Sequence, residues 1–239
     1  MPLLSDWRFR GGCAVALVTL TALSSLWFLG DTPSVRSKTD TSLLSFRFPW
    51  QAPLSTAPDA QALGRIPLFF EENQGQLHRD VKYLSHGAGY TLFLTANEAV
   101  FQLANQNGRP EKTVLRTRLL DANPHASTQG EVPQPGRSNY FIGNQPKDWH
   151  TNIPNYGKVR YQSVYPGVDL VYYGNQGQLE YDFIVQPGAN PNLIRMRYEG
   201  AKTLHLDAQG NLQANTASGA VTQFKPVVYQ DIGGLRHRS

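Results

Sequence analysis

Residues 168–185 have the sequence VDLVYYGNQGQLEYDFIV, in which two alternating apolar runs flank the short segment GNQG at residues 174–177. Two alternating runs joined by a short Gly-containing turn are typical of a β-hairpin. Side chains alternate along a strand, so in the second run one face carries only apolar residues and the other carries Glu180 and Asp182. The stretch therefore predicts a hairpin with one face in a core.

Comparable apolar and aromatic runs recur between Gly, Asn and Pro residues, which is the pattern of an antiparallel β-sandwich or barrel. They cover residues 90–95, 99–103, 114–120, 140–143, 159–164, 193–198 and, after turns at 207–211 and 217–220, residues 227–232. The 21 Gly, 16 Pro, 11 Tyr and 11 Phe in 239 residues also favour a turn-rich β protein over a helical one. The sequence thus predicts an all-β fold, an antiparallel β-sandwich-like domain.

The amino terminus has the order of an export signal, because Arg8 and Arg10 precede an apolar run at residues 13–29. This run is about the shortest that spans a membrane, so a cleaved signal peptide and an uncleaved anchor helix both stay open. We expect a signal or anchor at residues 1–30, a flexible linker rich in Ser, Thr, Pro and Ala at 31–62, and the β-rich domain at 63–239. The protein would then be extracytoplasmic, secreted or anchored to the cell membrane.

The last residues suggest an unfinished hairpin. Residues 227–232 predict a strand, Gly233 and Gly234 a tight turn, and residues 235–239 the beginning of a returning strand. This pattern predicts that the domain is truncated at its carboxyl end.

Charge and cysteine content exclude several classes of function. Residues 51–239 carry 17 Lys and Arg against 15 Asp and Glu, and the basic residues are scattered, so we expect no nucleic-acid partner. Cys13 is the single cysteine, which leaves no disulfide and no thiolate metal site. The six histidines are too dispersed for a zinc-binding pattern, and no Gly-rich phosphate loop precedes a helix.

Several stretches, taken together and in order, resemble a known family. They are FEENQGQ at residues 70–76, GAGYTLFL at 87–94, SNYFIGN at 138–144, YPGVDLVYYG at 165–174, LEYDF at 179–183 and KPVVYQ at 225–230. They resemble the uncharacterised amino-terminal domain of bacterial SBBP-repeat proteins, which are large secreted or cell-surface chains. The resemblance implies that β-propeller-type repeats follow the domain in longer relatives, and it implies no catalytic residue.

Asp169, Glu180 and Asp182 are the acidic residues with the most interesting spacing. Glu180 and Asp182, neighbours on one strand face, would suit a glycan-active hydrolase as a pair of carboxylates flanking a sugar bond. All three residues, as oxygen ligands, would suit calcium, the one cofactor that the sequence suggests. A third interpretation is the solvated polar face of an antiparallel sheet, which such alternation produces anyway.

Aromatic residues are the other functional candidates, because flat rings with a polar edge suit recognition of carbohydrate or protein at the cell surface. We expect Trp149, Tyr156 and Tyr140 at a binding surface, and Trp149 first among them because it lies in a loop rich in Pro and Asn. Core packing is the alternative for most of the rings.

These observations favour a non-catalytic extracytoplasmic domain with a structural, adhesive or ligand-binding role. A glycan-active hydrolase using the carboxylates of residues 169–182 is one alternative, and a cap or scaffold for downstream propeller repeats is another. The segment NQGQL occurs twice, beginning at Asn73 and at Asn175, and predicts two similar turns.

Overall fold

Strands account for most of the structure, a computed structural model that describes residues 16–19, 43–51, 67–104, 113–232 and 235–238. These residues contain no α-helix, only two 3-10 helices of one turn each, at Pro146–Asp148 and Pro191–Leu193. The predicted all-β class is therefore confirmed.

The strands are numbered in chain order. They are β1 (Ala16–Thr19), β2 (Leu43–Gln51), β3 (Phe70–Glu72), β4 (Tyr83–Gly87), β5 (Tyr90–Leu94), β6 (Glu98–Leu103), β7 (Thr113–Leu119), β8 (Ser127–Tyr140), β9 (His150–Tyr165), β10 (Val168–Asn175), β11 (Gln178–Val185), β12 (Arg195–Glu199), β13 (Thr203–Leu206), β14 (Leu212–Thr216), β15 (Gly219–Gln223), β16 (Val227–Ile232) and β17 (Leu235–Arg238).

Antiparallel pairs connect all these strands. The pairing runs in the order β1, β12, β7, β6, β5, β4, β3, β9, β10, β11, β2, β16 and β17. Strand β8 lies along the opposite edge of β9, since residues 158–160 pair with β10 on one side and with β8 on the other. The end of β2 also pairs with β15, from which β14 and β13 continue.

The sheet curls into a half-barrel, so strands that are far apart in this order face each other across the core. Trp50 of β2 stacks on Phe101 of β6 with ring centroids 3.9 Å apart. The Tyr161 hydroxyl of β9 donates to the carbonyl of Thr95, beyond the end of β5, at 2.7 Å. The predicted sandwich-like arrangement is thereby corrected to one curled sheet, because all the described strands join a single hydrogen-bonded sheet.

Strand β2 lies inside the segment that the sequence analysis assigned to a flexible linker. It pairs with β11 on one edge and with β16 on the other, and Phe46, Phe48 and Trp50 are buried in the core. Residues 43–51 therefore belong to the domain rather than to a linker. The alternation of aromatic residues in this strand is a β signal that the surrounding Ser, Thr and Pro composition obscured.

The amino-terminal apolar run contributes strand β1, which pairs with β12. No helix is described in this run, and its other residues lie outside the described ranges. Within those ranges, no helix is long and apolar enough to cross a membrane. The signal peptide or anchor helix stays a prediction.

Both predicted hairpins with short turns are present. Strands β10 and β11 pair from Val168 opposite Val185 to Asn175 opposite Gln178, which leaves a two-residue turn. Strands β16 and β17 pair as the predicted returning strand requires, while the two glycines between them lie outside the described residues.

Candidate functional site

The hairpin of β8 and β9 is the longest in the described structure, and its two strands are joined by residues 141–149. The last cross-strand pair is Tyr140 with His150. Pro146 begins a 3-10 turn, in which the Asp148 amide donates to the Gln145 carbonyl at 3.0 Å and the Trp149 amide to the Pro146 carbonyl at 3.2 Å. Proline suits the first position of such a turn because it has no amide hydrogen to satisfy.

This loop exposes three large apolar side chains, Phe141, Ile142 and Trp149, which we call the aromatic tip. Their exposed fractions are 63%, 61% and 37%. The apolar run at residues 140–143 predicts a strand, but β8 ends at Tyr140 and the two apolar residues after it are exposed to solvent. The sequence shows that these residues are apolar, but it does not show that the strand pairing of β8 ends before them.

Internal contacts fix the shape of the aromatic tip. The rings of Phe141 and Trp149 meet edge to face, with centroids 5.1 Å apart and an interplanar angle of 89°. The indole nitrogen of Trp149 donates to the Gly143 carbonyl at 3.3 Å. Gly143 itself has φ of 76°, a left-handed conformation in which a side chain would be strained. The exposed surface is therefore held in place before any partner arrives.

Tyr140 lies at the base of the aromatic tip and is already engaged. Its hydroxyl donates to Glu71 Oε2 at 2.6 Å, and Glu71, on β3, is only 4% exposed. Burial raises the pKa of Tyr140, and the hydrogen bond to the Glu71 carboxylate and its charge raise it further. This hydrogen bond connects the long hairpin to β3. A binding role for Tyr140 stays a prediction.

Tyr156 also packs within the protein. Its ring lies over Gly130, where an added Cβ would come within 2.4 Å of the ring, and it meets Tyr83 edge-on at 6.1 Å. Of the three residues predicted at a binding surface, the structure thus places Trp149 in the exposed aromatic tip, whereas Tyr140 is hydrogen-bonded to Glu71 and Tyr156 packs over Gly130. Phe141 and Ile142 complete the surface.

The acidic residues of β11 form a buried network on the outer face of the sheet. Asp182 accepts hydrogen bonds from the hydroxyls of Tyr173 at 2.9 Å and Tyr229 at 2.7 Å. Arg47 Nε lies 3.4 Å from Glu180 Oε2 and 3.8 Å from Asp182 Oδ1. Glu180 and Asp182 are 6% and 8% exposed, so their charges are balanced inside the network rather than by solvent.

Desolvation dominates the electrostatics of this network. Burial raises the pKa of Asp182, although the hydrogen bonds from Tyr229 and Tyr173 and the charge of Arg47 act in the opposite direction. The same burial, together with the neighbouring carboxylates, raises the pKa of Tyr173 far above its ordinary value. The Tyr173 hydroxyl therefore keeps its proton and donates a hydrogen bond to Asp182.

Asp169 belongs to a different network. It pairs in register with Ile184, and its carboxylate accepts from the Ser163 amide at 2.8 Å and from Arg160 Nη1 at 3.3 Å. Arg160 in turn donates to Glu131 at 2.6 Å. Asp169 therefore does not share partners with Glu180 and Asp182, and nowhere in the described ranges do three or more His, Cys, Asp or Glu side chains gather as a metal site would require. Calcium binding stays a prediction.

Comparison with known proteins gives a family but no characterised relative. A family model described as Domain of unknown function (DUF7948) matches residues 70–238. No curated protein and no solved structure matches the chain. The family description does not mention SBBP repeats, so that resemblance stays a prediction.

Proposed function

Since the chain belongs to the DUF7948 family, which is defined only as a domain of unknown function, we propose its function from the geometry. The chain is a non-catalytic binding domain that works outside the cytoplasm. It recognises a protein surface at the cell envelope through the aromatic tip, Phe141, Ile142 and Trp149.

The observation that carries this proposal is the exposure of three large apolar side chains together at the end of one hairpin. Burying Phe141 or Ile142 against a partner would contribute at most about 1.5–3 kcal/mol each. Single exposed apolar residues are common on protein surfaces, but a contiguous group marks an interaction site. Three of the six exposed large apolar residues of the described structure lie in this one loop.

The internal contacts of the aromatic tip support recognition rather than accidental exposure. The edge contact between Phe141 and Trp149, the indole hydrogen bond and the Tyr140 anchor all exist before binding. A surface that is already ordered loses less conformational entropy when a partner binds. Tryptophan is also among the residues that dominate binding energy at protein interfaces, and aromatic residues such as phenylalanine are enriched there.

The chemistry of the aromatic tip favours a protein partner over carbohydrate. Ile142 is branched and aliphatic, and it follows Phe141 directly in the exposed loop. Such an apolar pair fits an apolar groove on a protein, whereas a sugar ring needs a flat ring face with polar neighbours.

The cellular location of the domain and the domains next to it are inferred from the sequence. The charged and then apolar order of residues 8–29 supports export, with the apolar run acting as a signal peptide or as an anchor in the cell membrane. The resemblance to SBBP-repeat proteins supports a place in front of propeller repeats in longer relatives. In such chains the aromatic tip would present the domain to an envelope partner.

A glycan-active hydrolase is less well supported. Catalysis would require two carboxylates of unlike environment that both reach a substrate. Glu180 and Asp182 are buried, and their oxygens are engaged by Asn175, Arg47 and two tyrosine hydroxyls. This engagement favours a structural role for the acidic network.

The test is binding of the labelled protein to envelope fractions of the bacterium that produces it. A variant with Phe141→Ser, Ile142→Ser and Trp149→Ala should bind at least about tenfold more weakly while keeping its melting temperature. Leu206→Ser is the matched control, because Leu206 is 62% exposed but lies on β13. Unchanged binding of the triple variant would refute the proposal.

Treatment of the envelope separates the two partner classes. Protease treatment should abolish binding, whereas periodate oxidation of glycans should leave it intact. Binding that survives protease and is lost after periodate would contradict the protein partner and assign the aromatic tip to carbohydrate.

A further inference from the structure

The outer face of the sheet contains two arginines that are placed directly opposite each other. Arg197 of β12 pairs in register with Arg118 of β7. Their neighbours in the strands, Met196, Tyr198 and Leu119, are buried in the core, so the two arginine side chains are on the opposite, outer face. Directly opposed residues in an antiparallel pair have Cβ atoms about 5 Å apart, and like charges at that distance are destabilising.

The acidic neighbours do not compensate both charges. Glu98 of β6 is opposite Arg118 and accepts hydrogen bonds from both Arg118 and Arg116. Asp121 accepts from Arg195, the other outward arginine of β12. Glu199 is opposite Arg116 in register.

Arg197 has no hydrogen bond or ion pair with any described residue. Its Nε and that of Arg118 are both buried and lack a hydrogen-bond partner among the residues described. The two arginines are opposite each other on the outer face, and each has an N–H donor with no acceptor among the described residues. An oxyanion completes such a pair, because a guanidinium binds carboxylate, sulfate or phosphate through two parallel N–H donors.

We propose that Arg118 and Arg197 form a binding site for an oxyanion on the outer face of β7 and β12. The bound carboxylate, sulfate or phosphate group bridges the two guanidinium groups and removes the repulsion between them. The site is separate from the aromatic tip and does not depend on the function proposed for it. Arg116 also lines an open cleft of about 570 Å³, in which Arg79 and Lys82 lie together with Asp80 and Glu98.

The direct probe is inorganic sulfate, added to the full-length protein at constant ionic strength. The Nε–Hε signals of Arg118 and Arg197 in a nitrogen-15 NMR spectrum should shift together and saturate, whereas chloride should not reproduce the shift. Absence of saturation, or an equal response to chloride, would overturn the proposal, because general screening would then explain the effect.

Two variants test whether sulfate binds at this site. Arg197→Gln should weaken sulfate binding about tenfold or more, and Arg137→Gln, which removes one positive charge from exposed β8, should leave it unchanged. Arg197→Gln should also raise the melting temperature in the absence of sulfate, since the opposed charge is gone, and should reduce the stabilisation that sulfate gives. A variant that binds sulfate as the wild type does would exclude the site.

The source of the oxyanion follows from a second titration. Free glucuronate and an oligosaccharide of linked uronate units present the same carboxylate chemistry. Binding of the oligosaccharide at least about tenfold tighter than glucuronate would identify an acidic polysaccharide as the carrier, and equal binding would identify a small anion. In either case Arg197→Gln should weaken the binding of both ligands about tenfold or more.

Discussion

Buried carboxylates in this domain depend on the partners that surround them. Asp182 is buried beside Glu180, accepts hydrogen bonds from two tyrosine hydroxyls and lies next to one arginine. Such a group stabilises the fold only while every partner is present, because an unpaired buried charge costs several kcal/mol. The buried carboxylate of Glu71 likewise depends on a partner, the hydroxyl of Tyr140, which donates a hydrogen bond to it.

Asp182→Asn isolates the effect of the charge on stability. Burial raises the pKa of Asp182 above the ordinary 3.8, so the folded protein binds this proton more tightly than the unfolded chain does. The stability of the wild type relative to the variant should be greatest below pH 3.8 and should fall as the pH rises through the raised pKa. Urea unfolding of both proteins from about pH 3 to about pH 7 measures the difference. A relative stability that increases with pH would contradict this account.

Tyr140→Phe tests the anchor of the long hairpin. The variant removes a hydrogen bond to a buried carboxylate and leaves Glu71 without that donor, so we expect a loss of about 2 kcal/mol in the free energy of unfolding. Denaturant unfolding measures it. Tyr156→Phe serves as the control, since no hydrogen bond of the Tyr156 hydroxyl is found among the described residues; an equal loss in both variants would show that the Glu71 contact is unimportant.

At the scale of elements, the alternation of apolar and polar residues predicts strands and the hairpins between neighbouring strands. The alternation in residues 168–185 correctly predicts the β10–β11 hairpin, and strands β5, β6 and β7 fall where their apolar runs lie. The two copies of the NQGQL segment, predicted to form similar turns, adopt different structures. At Asn175 it forms a two-residue hairpin turn, whereas Asn73 organises a longer loop by donating to the Val81 carbonyl at 2.8 Å and accepting from the Leu77 amide at 3.1 Å.

The difference between the two NQGQL copies gives a matched pair of substitutions. Gln176 has φ of 50° and Gly177 has φ of 77°, which is the left-handed pair of a turn that favours Asn before Gly. Gln176→Asn should therefore raise the free energy of unfolding by roughly 0.5 kcal/mol. Gln74→Asn, the same change in the other copy, should give no such gain, because Gln74 does not have positive φ. Thermal unfolding compares them; a gain in both or in neither would contradict the turn assignment.

For the molecule as a whole, long-range pairing decides what the sequence pattern could not. The aromatic tip was predicted only through Trp149, since nothing local reveals that β8 ends before Phe141. The linker prediction did not anticipate β2, because its partners β11 and β16 lie more than a hundred residues further along the chain. A single curled sheet rather than a sandwich follows from the same distant pairings.

A truncation tests the place of β2 in the core. A chain of residues 63–239 lacks Phe46, Phe48 and Trp50, and losing one buried aromatic side chain already costs about 3–5 kcal/mol. Domains have only about 5–15 kcal/mol of stability, so this chain should not unfold cooperatively, whereas residues 43–239 should. Circular dichroism during heating distinguishes them. Cooperative unfolding of the shorter chain would mean that β2 is dispensable.

The proposed binding role depends on contact at one place, the aromatic tip, and site-specific photo-crosslinking measures that contact most directly. A photoreactive amino acid is introduced in place of Ile142 and, separately, in place of the equally exposed Leu206, and the producing cells are irradiated. We predict one discrete crosslinked protein from position 142 and none from position 206. No crosslink from position 142, or the same products from both positions, would contradict recognition through the aromatic tip.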